Sequence, residues 1–370
     1  MADATISSVQ TGQWRLIDQV NNLKSTLARD MIRLTDMSRA GSLETGIGTD
    51  TGSESLATEE RRPVDIVRLE GRIVSREIEV DPLSSSQFRF FLDGTQKTMP
   101  ICRVGLAPVV AALSAVGVLY RDATGQPALM GDLLRVNQTW IAPRHSGNPD
   151  LDAMIDHLER SGEIIQDPIS GSSAGSANGF VGDYGKSLSY AFDLAGRIRD
   201  EQEREVLADW QHTIAPHHPG DWIAVDGRLR SNVPNAIGIV KDLLTQHLEG
   251  NEAIALFDLP KGHRTTAFRY ASASGSDPAE RSPSEGRTMW YMRLWGATGM
   301  DARHSLVRIE APHEVGTSEE IDEISRWILA ERLPRPTEDP RWPTLLYPIY
   351  YLERILKRRL ANITAGWPSA

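Results

Sequence analysis

Apolar and polar positions follow one another along this chain in distinct periods, and each period predicts an element. Between residues 13 and 39, Trp14, Ile17, Val20, Leu23, Leu27, Met31 and Leu34 recur at spacings of three and four, the period of an amphipathic helix. Residues 40–62 are rich in Gly, Ser, Thr and Glu and carry too little apolar content to fold alone, so they read as a linker. From residue 64 the period shortens. Strands are expected over residues 66–74, 87–94, 116–122 and 129–136, the second ending in an Asp-Gly turn. The apolar run 104–113, interrupted by Pro108, reads as core, and the Gly/Ser-rich stretch 171–179 as a flexible loop.

The second half continues in the same way. A long helix is expected over residues 187–210, then a strand over 221–226 that again meets Asp-Gly, and a further strand over 236–241. A helix around 242–249 and strands at 253–257, 264–270, 287–294 and 305–310 follow, before two last helices at 318–331 and 344–360. This alternation predicts an α/β fold, a mixed sheet flanked by helices, with an N-terminal helical arm at 1–39, a polar linker at 40–62 and one domain at 63–370. The arm has two readings, a helix packed on its own domain or a contact with a second copy or partner.

Composition narrows the class. With 370 residues, 40% hydrophobic and 24% charged, the chain has enough apolar material for a large core. No apolar run approaches the ~20 residues of a membrane span, and residues 1–6 show neither the basic nor the apolar region of a secretory signal. A cytoplasmic location is the expectation. A single cysteine, Cys102, excludes an intramolecular disulfide and a cysteine-rich zinc site. The net charge of −10 argues against binding nucleic acid by bulk charge, although an acidic, metal-dependent site needs only local basic surface.

Two segments place an Asp-Gly pair after an apolar strand: Phe90-Phe91-Leu92-Asp93-Gly94 and Ile223-Ala224-Val225-Asp226-Gly227. Asp-Gly is first of all turn chemistry. Two carboxylates held on separate buried strands are also a way to present oxygen ligands to a hard cation such as Mg²⁺ or Mn²⁺.

The order of these segments resembles the NurA family of DNA-end nucleases, over roughly residues 64–360. Asp93-Gly94-Thr95 is similar to the family's early Asp-Gly-Ser, and a charged helix with Glu203 and Glu205 precedes the second strand. Asp226-Gly227-Arg228-Leu229 is followed by Ile237-Gly238-Ile239-Val240-Lys241, similar to the family's Val-Gly-Val-Val-Lys, and residues 290–294 and 307–310 resemble its late strands. The resemblance implies an RNase H-like core and a divalent-metal nuclease using Mn²⁺ or Mg²⁺. It also implies a homodimer that works beside a HerA-type hexameric ATPase in end resection or anti-phage defence. Asp93 and Asp226 fall on the family's metal-binding aspartates. The third acid lies on the preceding helix, where Glu205, 21 residues before Asp226 (226 − 205), is favoured over its neighbours Glu201 and Glu203. Arg228, Arg230 and Lys241 are candidates for phosphate contact.

The chain departs from the family near its C-terminus. The family's Tyr and His, eight residues apart, align with Trp342 and Tyr350 (350 − 342 = 8). This register is preferred over the one that starts at Tyr347-Pro348 and puts Ile355 at the His position, because it keeps Pro343, Leu346 and Ile355 in matching apolar places. A neutral Tyr is a poorer metal ligand than a His, so Tyr350 would act through its hydroxyl on water or phosphate. This departure sustains a rival reading, a nuclease-fold subunit with degraded chemistry that serves as scaffold or regulator of its ATPase. An unrelated α/β enzyme would have to meet the ordered block from Val225 to Lys241 by chance. The histidines at 217–218, 304 and 313 show no ligand spacing. No Walker-type loop, His-Glu-x-x-His or Gly-x-Ser-x-Gly occurs, so ATP hydrolysis would belong to a partner.

Overall fold

The computed structural model describes residues 15–30, 32, 35–36, 66–79, 86–144, 147–168, 183–241, 243, 246–270 and 286–366. The expected linker 40–62 and loop 171–179 lie outside the described residues. The chain begins with α1 (Leu16–Arg29), β1 (Thr35–Asp36), β2 (Ile66–Arg68) and β3 (Ser75–Glu77). A long hairpin follows, β4 (Phe88–Val104) and β5 (Ala107–Arg121), then β6 (Pro127–Leu129), β7 (Arg135–Ile141), α2 (Pro149–Arg160) and β8 (Ile165–Gln166). Next come α3 (Tyr184–Asp209), β9 (Trp222–Asp226), β10 (Ala236–Val240), α4 (Gly250–Phe257), β11 (His263–Thr265) and β12 (Phe268–Tyr270). The chain closes with β13 (Thr288–Arg293), β14 (Leu306–Ala311), α5 (Ser318–Glu331) and α6 (Tyr347–Ile363).

One mixed sheet runs through the fold in the order β2-β12-β13-β14-β10-β9-β4-β5-β7-β8. At its centre, β4, β9 and β10 are parallel, while β5 and β7 extend β4 as an antiparallel meander. Side-chain alternation divides the sheet into two faces. Phe91, Met99, Ala224, Ile237 and Ile239 point to one face, which buries α1, α2, α5 and α6 in the largest core cluster. Phe90, Leu92, Ile223 and Val225 point to the other, against Val206, Leu207 and Trp210 at the end of α3. The protein is therefore α/β, a large mixed sheet flanked by helices. No described helix is long and apolar enough to cross a membrane.

Leu16, Val20, Leu23 and Leu27 are the buried stripe of α1 and belong to that main cluster, while Gln19 bonds Gln138 of β7 and Glu163. This contact matches the packing reading of the first helix.

Several local expectations change: the strand expected over 66–74 ends at Arg68, and the helix expected around 242–249 begins only at Gly250. The Asp-Gly at 93–94 is no turn. The strand passes through it for another ten residues because apolar positions from Met99 to Val104 pair with the apolar start of β5, residues 107–111, and the hairpin instead turns at Gly105, with φ +59°. The run 104–113 thereby becomes strand. Residues 253–257, expected as a strand, end helix α4, where Ala253 and Leu256 bury one helical face.

Between β9 and β10 the crossover is only residues 227–235, without a helix. Gly227, at φ +92°, makes the turn after Asp226 that the sequence predicts. The loop then lies directly on β10, where a Cβ at Gly238 would stand 2.5 Å from the Leu229 nitrogen and 2.8 Å from the Gly227 carbonyl oxygen. Glycine at 238 is what lets the connection be this short.

A candidate carboxylate site at the centre of the sheet

The site begins with register. Phe91 pairs with Ala224 and Leu92 with Val225, so the next positions along these parallel strands, Asp93 and Asp226, are neighbours. Alternation sends both side chains to the face that carries α6. Across β5, the residue paired with Asp93 is Gly117, whose missing side chain leaves the space beside the carboxylate to Leu129, Leu134 and Leu356.

Asp93 is 4% exposed. Its Oδ1 accepts the Gly94 backbone N–H at 2.8 Å, and its Oδ2 is buried with no hydrogen-bond partner. Burial raises its pKa well above the ordinary carboxylate value. The negative charges of Asp226 and Glu353 push the same way, Lys241 opposes them, and Glu203 adds a smaller push. Asp226 meets the Lys241 ammonium at 2.5 Å, with both side chains largely out of solvent. Lys241 follows directly on β10, whose pairing with β9 brings the two ends together.

Glu203 comes from the other side. It lies on α3 and is held by Arg199 one turn earlier, 3.5 Å away. Its carboxylate occupies the position that a side chain at Gly94 would fill. Gly94 is thus an opening in the sheet through which a helix on one face addresses a carboxylate on the other. Glu205 lies on the exposed side of α3, and Glu201, also exposed, pairs with Arg204. Of the three glutamates, Glu203 is the one whose charge acts on Asp93, while Glu201 and Glu205 stay in solvent.

The remaining candidates are dispersed. Arg230 is bound to Asp200 of α3 at 2.6 Å, on the face opposite the aspartates. Arg228 is half-buried, and its charge acts on Tyr270 and Arg287 of the same layer. Of the three cations expected to contact phosphate, Lys241 is the one that reaches the aspartate pair. Tyr350 is half-buried on α6, with the Arg354 guanidinium 5.8 Å from its ring centroid.

One turn beyond Tyr350 stands Glu353, which the sequence reading did not single out. Burial would raise its pKa, but hydrogen bonds from Lys357 and Arg341, at 2.7 and 2.8 Å, outweigh burial and hold it below the usual value. It stays charged and acts on Asp93. A signal was present: Glu353 is the one acid in α6 and sits beside the buried row Ile349, Leu352, Leu356.

Among the described residues, no three His, Cys, Asp or Glu side chains are gathered as a ready-made ligand set. Two carboxylates on adjacent strands, one with an orphaned buried oxygen, do fit a hard cation of the kind bound through one or two carboxylates, with water and substrate phosphate completing the shell. No protein-family model matches the chain, and no curated protein matches it.

Proposed function

We propose that the protein is a divalent-metal-dependent nuclease that hydrolyses phosphodiesters at DNA ends, of the NurA type and with an RNase H-like core. The observation that carries the reading is that Asp93 and Asp226 follow the paired Leu92 and Val225 on adjacent parallel strands, one carboxylate buried with an unmatched oxygen. The sheet order β7-β5-β4-β9-β10, a three-strand meander continued by two parallel strands, supports the RNase H-like assignment.

In this reading Asp93 and Asp226 hold Mn²⁺ or Mg²⁺, and Glu203 is the third acid, reaching the site past Gly94. The bound cation would lower the pKa of a water and offset charge on the phosphate. The chain's own part is to fix the two carboxylates on a rigid sheet and to seal the apolar face behind them. Lys241 neutralises Asp226 and is placed to meet a phosphate. Tyr350 and Arg228 are secondary candidates for phosphate or water contact. A HerA-type hexameric ATPase and a second copy of the chain are the proposed partners.

The test is degradation of linear and circular DNA with Mn²⁺, Mg²⁺ or EDTA, by wild type and Asp226→Ala, with and without the ATPase. Metal-dependent cleavage that is lost in the variant supports the reading. A stable complex with the ATPase and no cleavage under any condition would favour a scaffold, for which Tyr350 at the family's His position is the motivating feature.

A further inference from the structure

We infer that the cavity beside Lys241 seats the terminal nucleotide of a DNA strand, gripping its phosphate; the assignment rests on the nuclease reading of Asp93 and Asp226. The cavity has a volume of about 340 Å³ and lies between the 300–305 loop and the turn at 340–344. Its lining carries three cations, Lys241, Arg303 and Arg341, against one carboxylate, Asp301, and His304 adds a ring nitrogen donor or acceptor. Met300 and Pro343 supply apolar surface. Cations for a phosphate and apolar walls for a sugar or base edge are the chemistry of a nucleotide. The volume is near the lower end, roughly 300 Å³, of small-molecule sites, which suits one nucleotide rather than a run of them.

Two wall residues tie the cavity to the carboxylates. Lys241 lines it and also holds Asp226 at 2.5 Å. Arg341 lines it and holds Glu353, whose charge acts on Asp93. A phosphate seated there is therefore next to the groups proposed to act on the adjoining linkage. Arg303 is the cation most easily recruited. Its pairing with Asp301, at 3.2 Å, is more than half in water on both sides, and such pairs contribute little.

The test measures anisotropy of a short labelled single strand carrying a phosphate at its 5′ end, its 3′ end or neither, with Ca²⁺ present. Wild type, Arg303→Ala and Asp226→Asn are compared, and a deoxynucleoside monophosphate serves as competitor. One terminally phosphorylated strand is expected to bind more tightly than the unphosphorylated one, and Arg303→Ala to erase that advantage, roughly tenfold. Equal binding of the three strands, or an advantage that survives in Arg303→Ala, overturns the assignment. Competition by the mononucleotide at strand-like concentration would mark a free-nucleotide pocket and overturn it too. Parallel cleavage assays with Mn²⁺ separate the two readings. Asp226-dependent cleavage with no effect of Arg303 on end binding removes the seat alone. An Arg303-dependent end preference in a wild type that cleaves nothing removes the nuclease alone.

Discussion

Asp93 and Asp226 stand side by side because Leu92 pairs with Val225, and the Lys241 ammonium, 2.5 Å from Asp226, is the nearby positive charge that limits their repulsion. A divalent cation would do the same more strongly. Mn²⁺ is expected to raise the melting temperature of the wild type, by about 2.7 kcal/mol of stability at roughly a hundredfold excess over Kd. Asp93→Asn and Asp226→Asn should lose most of that gain in calorimetry. A metal-induced shift that persists in both variants would place the cation elsewhere.

Asp93 also predicts a pH dependence. Its folded pKa lies above the ordinary value of 3.8, so the protonated form is favoured by folding. Its stabilising contribution is full below that value and is lost as pH rises through the raised folded pKa. In EDTA, Asp93→Asn should flatten this decline and leave the protein at least as stable as wild type at neutral pH. Denaturant titrations across pH test it, and a variant less stable at every pH would contradict it.

Glu70 has the opposite sign. Burial alone would raise its pKa, but hydrogen bonds from Arg264, Ser318 and the Ala267 N–H bring it down to about 2. The stability it adds is present above its ordinary value of 4.5 and is lost as pH falls toward 2. Glu70→Gln should destabilise the protein at neutral pH, and the difference from wild type should close near pH 2. A constant difference over that range would show that packing, rather than charge, ties β11 to α5 there.

Two glycines should answer substitution differently. At Gly238 an added methyl meets the backbone of the 227–235 crossover, and Gly238→Ala should cost about 1–3 kcal/mol in denaturant unfolding. At Gly94 the obstacle is the Glu203 side chain, which is able to swing away. Gly94→Ala should therefore unfold near the wild-type denaturant midpoint while losing metal-dependent cleavage. Retained cleavage would remove Glu203 from the proposed site.

Several of these features were legible in the sequence. The apolar runs ahead of Asp93 and Asp226 located both strands, and the helix expected at 318–331 is α5. The choice among the α3 glutamates shows what linear spacing misses. Counting back from Asp226 favours Glu205, yet helical phase separates the candidates. Glu203 lies in the row Arg199, Glu203, Leu207, whose ends are buried, and Glu205 in the row Glu201, Glu205, Asp209, which faces water. That phase was readable from Val206 and Leu207. The continuation of β4 past Gly94 was not, because the pairing that sustains it comes from β5. The cavity was also hidden, since its walls come from three separate segments, 241–243, 300–305 and 340–344, and only the fold brings them together.

The opening at Gly94 has a consequence for how such a chain changes over generations. Every acidic residue of the proposed site could be retained, and the third carboxylate would still be shut out if this single achiral position acquired a side chain. The signature to follow in related chains is thus a vacancy as much as a set of charges: a glycine on the strand, one residue after the aspartate, matched to a glutamate on the opposite face of the sheet from that aspartate.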